Sequence, residues 1–333
     1  MPDHHPRTSR RTPRARNARQ SGIALITALL VLAIAAIAAA QMLSSQHLDI
    51  RRSQNVLARD QAWVYALSAE EVAIDILAGD RQDNDIDGPG DIWAQQLPPI
   101  MEDTAQITLE IEDLQGRYNL NNLATQQEGL REQEGDRFRR LLQTVYPQAA
   151  PDVEAAVADW VDADIEPRFP GGAEDDVYTR LDPPYRPANR LMESASELRL
   201  VQGMGPQTQG EQSAYEAIRP YVTALPATDL AINVNTASAA VLRSLADSIE
   251  PGDAKAAVEA RGDKGWEDVQ SFMNEQTAFA DTDISPQTLT VSSAYFLAHA
   301  TVTLDRARID LFSVIHRPKD GPIKVLYRSQ VRP

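Results

Sequence analysis

The sequence predicts an α+β fold, with a long N-terminal helix, an antiparallel sheet, and a large all-helical domain inserted in that sheet. Three observations predict it. Ile23–Ala40 is apolar except for Thr27, and no Pro or Gly follows it as far as Ala78. Alternating apolar and polar residues, the pattern of a half-buried strand, occur at Gln106–Asp113 and return at Tyr295–Leu304, Ala307–His316 and Ile323–Val331. From about Ala124 to Pro286 the pattern between them is mostly helical. Distant strands can share one antiparallel sheet, whereas a separate three-stranded tail would be poorly covered.

The first helix carries the strongest signal. These eighteen residues span about 27 Å, close to the hydrocarbon thickness of a bilayer. Residues 1–22 hold six arginines against Asp3, a net of +5, leaving −21 for the rest of a chain whose formal charge is −16. No arginine follows the apolar run until Arg51 and Arg52. A single membrane pass is expected, with the N-terminus cytoplasmic and the acidic body exported. Three processing fates compete. Ala38-Ala39-Ala40 fits an ordinary signal-peptide cut. Ser9-Arg10-Arg11 hints at a twin-arginine signal, which Thr12-Pro13 weakens. Gln20-Ser21-Gly22 followed by Ile23-Ala24-Leu25-Ile26 resembles a type IV prepilin leader, cut after Gly22 with the helix kept. Apolar residues at helical spacing (Leu48, Val56, Trp63, Leu67, Val72, Ile76) favour the third fate, with Gly79 as the expected stop.

Beyond it, residues 80–91 read as an acidic loop and Gln115-Gly116 as a turn. Arg117–Leu123 is either a returning strand or a lead into the next region. Candidate helices cover 134–146, 151–161, 194–202, 211–219, 236–247, 252–261 and 266–274, with Asn235 as a cap. Asp305-Arg306 is short enough to make its flanking strands a hairpin.

The composition narrows the chemistry. Hydrophobic residues at 43% and charged residues at 24% suit a packed core. A sequence pI near 4.7 argues against a general nucleic-acid binder. The lack of cysteine excludes disulfides, thiol nucleophiles and Cys-rich zinc sites. Hydrolase and phosphate-loop motifs are missing, and the histidines, among them His4, His5, His299 and His316, are scattered, so the sequence points away from catalysis.

Two acidic clusters stand out. Asp159, Asp162, Asp164, Glu166, Glu174, Asp175 and Asp176 place seven carboxylates within 18 residues, in a stretch broken by Pro167, Pro170 and two glycines. Calcium takes several hard oxygens from flexible loops, and crowded carboxylates repel one another without a cation, so a structural calcium site is expected there. Asp83, Asp85 and Asp87-Gly88 form half of an EF-hand loop. Its twelfth position would be Ala94, leaving at most a looser site that adds Asp91.

Several stretches carry a family resemblance. The leader cut at Gly22, Asp113–Leu123, Pro183–Asn189, Met192–Met204 and Ile232–Ala237 together resemble the minor pseudopilin family of type II secretion called general secretion pathway protein K. The resemblance spans about Ser21 to Gln330 and is most specific from Tyr185 to Met204. It implies a type IV pilin-like fold divided into a cleaved leader (1–22), a transmembrane half-helix (23–43), a stem helix with first strands (44–123), a helical insert (124–288) and C-terminal strands (289–333). It implies cleavage between Gly22 and Ile23 by prepilin peptidase, methylation of Ile23, and a place at the tip of a periplasmic pseudopilus. The implied partners are the I and J minor pseudopilins, the major pseudopilin, and secreted substrates or the outer-membrane secretin. The fifth mature position, Glu in most pilins, is Thr27, which suits a subunit with no neighbour above it. Ile232–Leu242, followed by the helix to Arg261 and Gly265–Val269, also resembles the helix-hairpin-helix modules of DNA-uptake receptors. Asp229–Ser285, however, holds eleven acidic residues against four basic ones.

Overall fold

The computed structural model describes residues 19–150, 152–205, 212–280 and 282–333. The basic head up to residue 18, with its arginine pair, lies outside the described residues. The chain divides into two compact units, one up to Ala58 and one from Arg59 to Pro333, and helix α1 (Arg19–Asp83) is shared between them. In the first unit every residue from Ile23 to Leu57 is exposed. An 18-residue window there reaches a mean hydropathy of 2.8, so the helix is long and apolar enough to cross a membrane.

The second unit is built on a five-stranded sheet of order β1-β2-β7-β8-β9. Its strands are β1 (Ile100–Glu102), β2 (Ala105–Asp113), β7 (Tyr295–Leu304), β8 (Ala307–His316) and β9 (Lys324–Ser329), all antiparallel. The expected β7–β8 hairpin closes with Leu304 opposite Ala307. Its α1-facing cluster joins Ala73 and Leu77 to Trp93, Leu109, Ile111, Phe296, Ala298 and Ile315.

The buried face of α1 differs from the one the sequence predicts. Ala62, Ala66, Ala69, Ala73 and Leu77 line it at spacings of three and four residues. Leu48, Val56 and Val72 are exposed. The sheet supplies the bulk (Trp93 meets Phe296 edge-on at 5.2 Å), so the helix contributes small side chains. One charge lies in this seam. Glu70 is buried and accepts two hydrogen bonds from Arg328, at 2.8 and 2.7 Å, and one from the Ser313 hydroxyl. Nor does Gly79 stop the helix. The next turn is held by Arg81, which donates to the carbonyls of Pro318 and Gly321 at 2.9 and 3.0 Å.

Asp113 on β2 pairs with Phe296 on β7, so the two strands are neighbours and residues 114–294 form the insert. This starts before the expected boundary at 124, because Tyr118, Leu120 and Leu123 already belong to the insert's core. Arg117–Leu123 is therefore a lead-in. Its two-residue strand β3 (Tyr118–Asn119) pairs in parallel with β4 (Val222–Thr223), while β5 (Ile232–Asn233) pairs in parallel with β6 (Leu289–Thr290). The insert's helices are α2 (Glu128–Val145), α3 (Val153–Val161), α4 (Asp175–Tyr178), α5 (Ala214–Ile218), α6 (Ala239–Arg243), α7 (Pro251–Ala260), α8 (Val269–Glu275) and α9 (Thr277–Ala280). The helix expected at 194–202 is a 3-10 helix, Ala195–Leu200, and that at 236–247 shrinks to α6, capped by Ser238.

Asn235 does other work. Its side chain clasps Trp266, accepting from the backbone N–H at 2.8 Å and donating to the carbonyl at 3.0 Å. Asn121 does the same for Met192 (2.8 and 3.0 Å) and also donates to the Leu225 carbonyl at 2.7 Å. Asn119 and Asn122 bracket Leu225–Leu230 in the same way. An interior of short elements leaves much backbone without a ladder, and buried asparagines supply the missing partners.

Candidate functional site

The acidic stretch after α3 folds into a compact loop leading to α4. Asp159, on the last turn of α3, is fully buried, and both its oxygens accept from the Arg168 backbone N–H at 3.2 Å. The Arg168 guanidinium reaches Asp162 Oδ2 at 3.2 Å. Gly172 closes the turn, because a Cβ there would strike Asp159 Oδ2 and the Arg168 backbone. Asn189, at a φ of 44°, donates to the Asp164 carbonyl at 3.0 Å.

This frame brings carboxylate oxygens of Asp162, Asp164 and Glu174 within 4.8 Å of one another. Glu174 is only 3% exposed. Burial pushes its carboxyl up to about 7, with Asp159 and Asp162 adding like-charge repulsion. Asp159 is pushed up to about 6 and Asp162 is also raised, again chiefly by burial. Among the described residues, Asp162 Oδ1, Glu174 Oε1 and Asn189 Oδ1 are buried oxygens without a hydrogen-bond partner. Three orphaned hard acceptors beside raised carboxylates are what a bound cation would resolve, so these residues fit calcium.

The expected seven ligands are not all brought together. Asp159 is spent on the Arg168 backbone, Asp175 lies 3.4 Å from Arg186, and Asp176 lies 3.6 Å from Arg180. Glu166 is exposed, and only its N–H joins the loop, donating to Asp164. Asn189 was not legible as part of the site, since nothing in Pro187-Ala188-Asn189 marks it as a ligand.

The second cluster is reorganised. Asp83 and Asp85 are exposed and stand apart, and the grouped residues are Asp80, Asp87 and Asp91. Helical geometry explains the change, because Asp80 lies one turn back on the buried side of α1 while Asp83 ends the helix facing solvent. A cation already sits there. Arg317 donates to Asp80 at 2.6 Å and to Asp87 at 2.5 and 2.6 Å, and its guanidinium lies 4.5 Å from the Phe296 ring centre. Asp91 is used locally, accepting from the Gly88 N–H at 2.7 Å. This group is a structural ion network.

The remaining candidates have structural roles. His299 stacks on Phe312 at 4.1 Å and lies 3.2 Å from Asp310, and His316 stacks on Tyr295 at 4.7 Å. Val241, Leu242, Ala254 and Ala257 of the hairpin-like segment sit in the insert's core. Arg261 donates to the carbonyls of Val234 and Ala237, so its guanidinium is turned inward.

A helix that is membrane-compatible in its first unit and packs by an alanine seam on an antiparallel sheet in the second defines a pilin-like subunit, here with a mostly helical domain inserted in the sheet, not an all-helical one, since it holds two short parallel strand pairs. Two family models, both described as type II secretion system protein K, match residues 116–227 and 232–292. Type II secretion system protein K of Pseudomonas aeruginosa is 36% identical over 93% of this chain and 92% of its own length. That of Aeromonas hydrophila is 34% identical over 93% and 97%. The chain belongs to the type II secretion system protein K family. The crystal structure of the GspK–GspI–GspJ complex from the enterotoxigenic Escherichia coli type 2 secretion system contains a chain that aligns with a TM-score of 0.73 and 28% identity, covering 84% of this chain and 98% of that one.

Proposed function

We propose that this chain is the minor pseudopilin at the tip of the type II secretion pseudopilus, initiating or capping its assembly with the I and J minor pseudopilins during protein export. The observation that carries this reading is the match to nearly the whole of a protein crystallised with GspI and GspJ. The first unit is the inner-membrane anchor, its N-terminus cytoplasmic and the second unit periplasmic. Prepilin peptidase cuts between Gly22 and Ile23, and Ile23 becomes the methylated N-terminus. Thr27, the fifth mature residue, supports a terminal position. Its hydroxyl donates to the Ala24 carbonyl at 3.0 Å, so it needs no partner from a neighbour in lipid. The chain acts by assembly, with the major pseudopilin following it.

Asp162, Asp164, Glu174 and Asn189 hold a calcium ion whose charge offsets their mutual repulsion and ties the α3–α4 loop. Chelation with EGTA should lower the melting temperature of the wild type, and Asp162→Asn/Glu174→Gln should abolish that response. At a hundredfold saturation the ion adds about 2.7 kcal/mol. The tip reading is tested by co-expression with prepilin peptidase and terminal sequencing, followed by co-purification with the I and J proteins. A mature start at Ile23 and a stoichiometric complex are expected. A start at Gln41, or no complex, would sink the reading.

A further inference from the structure

A groove of about 1090 Å³ opens between the insert and the C-terminal edge of the sheet. One wall is the Arg190–Arg199 segment with Tyr215 and Arg219, and the other is the β9 stretch Leu326–Ser329 with Val331–Pro333.

Its charge runs against that of the molecule. Five arginines and one glutamate line the groove, in a chain of formal charge −16. Arg190 is paired with that glutamate, Glu193, at 2.8 Å, and Arg328 with Glu70 at 2.7 Å. Arg332 shares Glu112 with Arg117, so two cations draw on one carboxylate. Arg117 is held below the usual arginine range by burial, and Arg332 and Arg219 add to the lowering. Arg199 lies 4.9 Å from the Tyr215 ring centre. Among the described residues, neither Arg199 nor Arg219 has a carboxylate within 4.0 Å, and both are exposed.

The opposite wall is an open strand edge. Among the described residues β9 ends the sheet order and pairs with β8 alone, so its outer N–H and C=O groups have no strand partner there. Its register shifts between Val314 and Ile315, which face Tyr327 and Val325, leaving Leu326 as the extra residue of a bulge. The bulge turns Val325 toward the α1-side cluster and Tyr327 toward the opposite one, and leaves Leu326 at the groove, 39% exposed.

The geometry points to this groove as a docking site for an extended acidic segment of a partner polypeptide, its backbone adding to the free edge of β9 and its carboxylates meeting Arg199 and Arg219. Main-chain pairing supplies sequence-independent affinity, and planar guanidinium groups select carboxylates. A single small anion would leave most of this volume empty. A nucleic acid would bring a dense row of phosphates against an acidic surface.

The test uses the full chain in nonionic detergent and an end-blocked, fluorescein-labelled decapeptide alternating Glu and Thr, followed by fluorescence anisotropy. Saturable binding that weakens as salt rises from about 50 to 300 mM is expected. Arg199→Glu/Arg219→Glu should weaken it at least about tenfold. Lys255→Glu/Arg306→Glu, an equal charge change at exposed sites outside the groove, should leave it unchanged. The same decapeptide methylated on alternate backbone nitrogens should also lose binding, as strand addition requires. The proposal is overturned if the groove variant binds as well as the wild type, if both variants lose equally, if the Lys-Thr decapeptide binds alike, or if millimolar inorganic phosphate alone displaces the peptide. Equal melting temperatures of the variants exclude a folding artefact.

Discussion

Gly172 shows how closely the acidic loop is built. It sits where the chain doubles back on Arg168, and any side chain must displace Asp159 or that backbone. Gly172→Ala should therefore cost about 1–3 kcal/mol in chemical denaturation, the usual penalty for overpacking. A loss below about 0.5 kcal/mol would mean that the loop yields freely and does not preorganise its carboxylates. Such single-residue demands are faint in a sequence. Seven acids in 18 residues announced a charged loop, yet which of them converge depends on backbone path. Asp159 faces inward because α3 puts it on the turn buried with Val157 and Trp160, whereas Glu166 falls in extended, exposed chain. Asn189 enters from a distant segment, and sequence distance hid it.

The elements were legible in proportion to their length. β2, β7 and β8 are nine or ten residues long, carry alternating stretches, and lie where that pattern predicts. β1, three exposed residues after Pro98-Pro99, shows none. In the insert, α5, α6 and α8 lie at the expected 211–219, 236–247 and 266–274 but are only five to seven residues long, beginning at the local caps Ser213, Ser238 and Asp268, while the four-residue α4 and α9 are too brief for a periodicity to reveal. The stem helix was visible as a helix but its buried side was not, because the pattern of large apolar residues runs from exposed (Leu48, Val56, Val72) to half-buried (Trp63, Leu67, Ile76) while alanines mark the buried side. Ala66→Leu should accordingly cost about 1–3 kcal/mol by forcing α1 off the sheet, while Val64→Ala, on the exposed side, should change stability by less than about 0.5 kcal/mol. Urea denaturation of the two variants side by side checks the assignment, and equal effects would refute it. The β7–β8 hairpin carries its own pH signature. Hydrogen bonding from Arg308, with Thr301 and His299, holds the Asp310 carboxyl well below the usual range. A depressed carboxyl stabilises the fold above its unfolded value, near 3.9, and that contribution is lost as pH falls toward the folded value. Asp310→Asn should therefore be less stable than wild type at pH 7, with the gap closing under acid. A gap that fails to narrow between about pH 5 and pH 2 would assign the effect to packing.

At the scale of the second unit, one joint connects the end of α1, the sheet and the insert. Arg317, just after β8, holds Asp80 from α1 and Asp87 from the linker, and donates to the Ser293 carbonyl at 3.1 Å. Ser293 and Asn233 donate to Asp113 at 2.7 and 3.0 Å, and the Thr236 hydroxyl adds a third bond, so the network passes from sheet to insert without a gap. These groups are buried, where one cation balances two carboxylates and any missing partner is expensive. Arg317→Met should cost about 3–5 kcal/mol, because it leaves Asp80 and Asp87 facing each other without a counter-charge. Arg317→Lys should recover little, since one ammonium cannot span both carboxylates as a planar guanidinium does. The informative variant is Asp80→Asn/Asp87→Asn/Arg317→Met. If burial of unpaired charge drives the loss, removing all three charges restores stability relative to Arg317→Met alone, although more contacts have been deleted. If the triple variant is instead the least stable, the ion network contributes attraction beyond its desolvation cost. Trypsin digestion separates stability from orientation. A joint that positions the insert on the sheet predicts early cleavage after Arg117 in the Arg317→Lys protein, before the insert's own core is cut. Simultaneous loss of all fragments would mean that sheet and insert unfold as one cooperative body and that the joint stabilises the whole without steering either part.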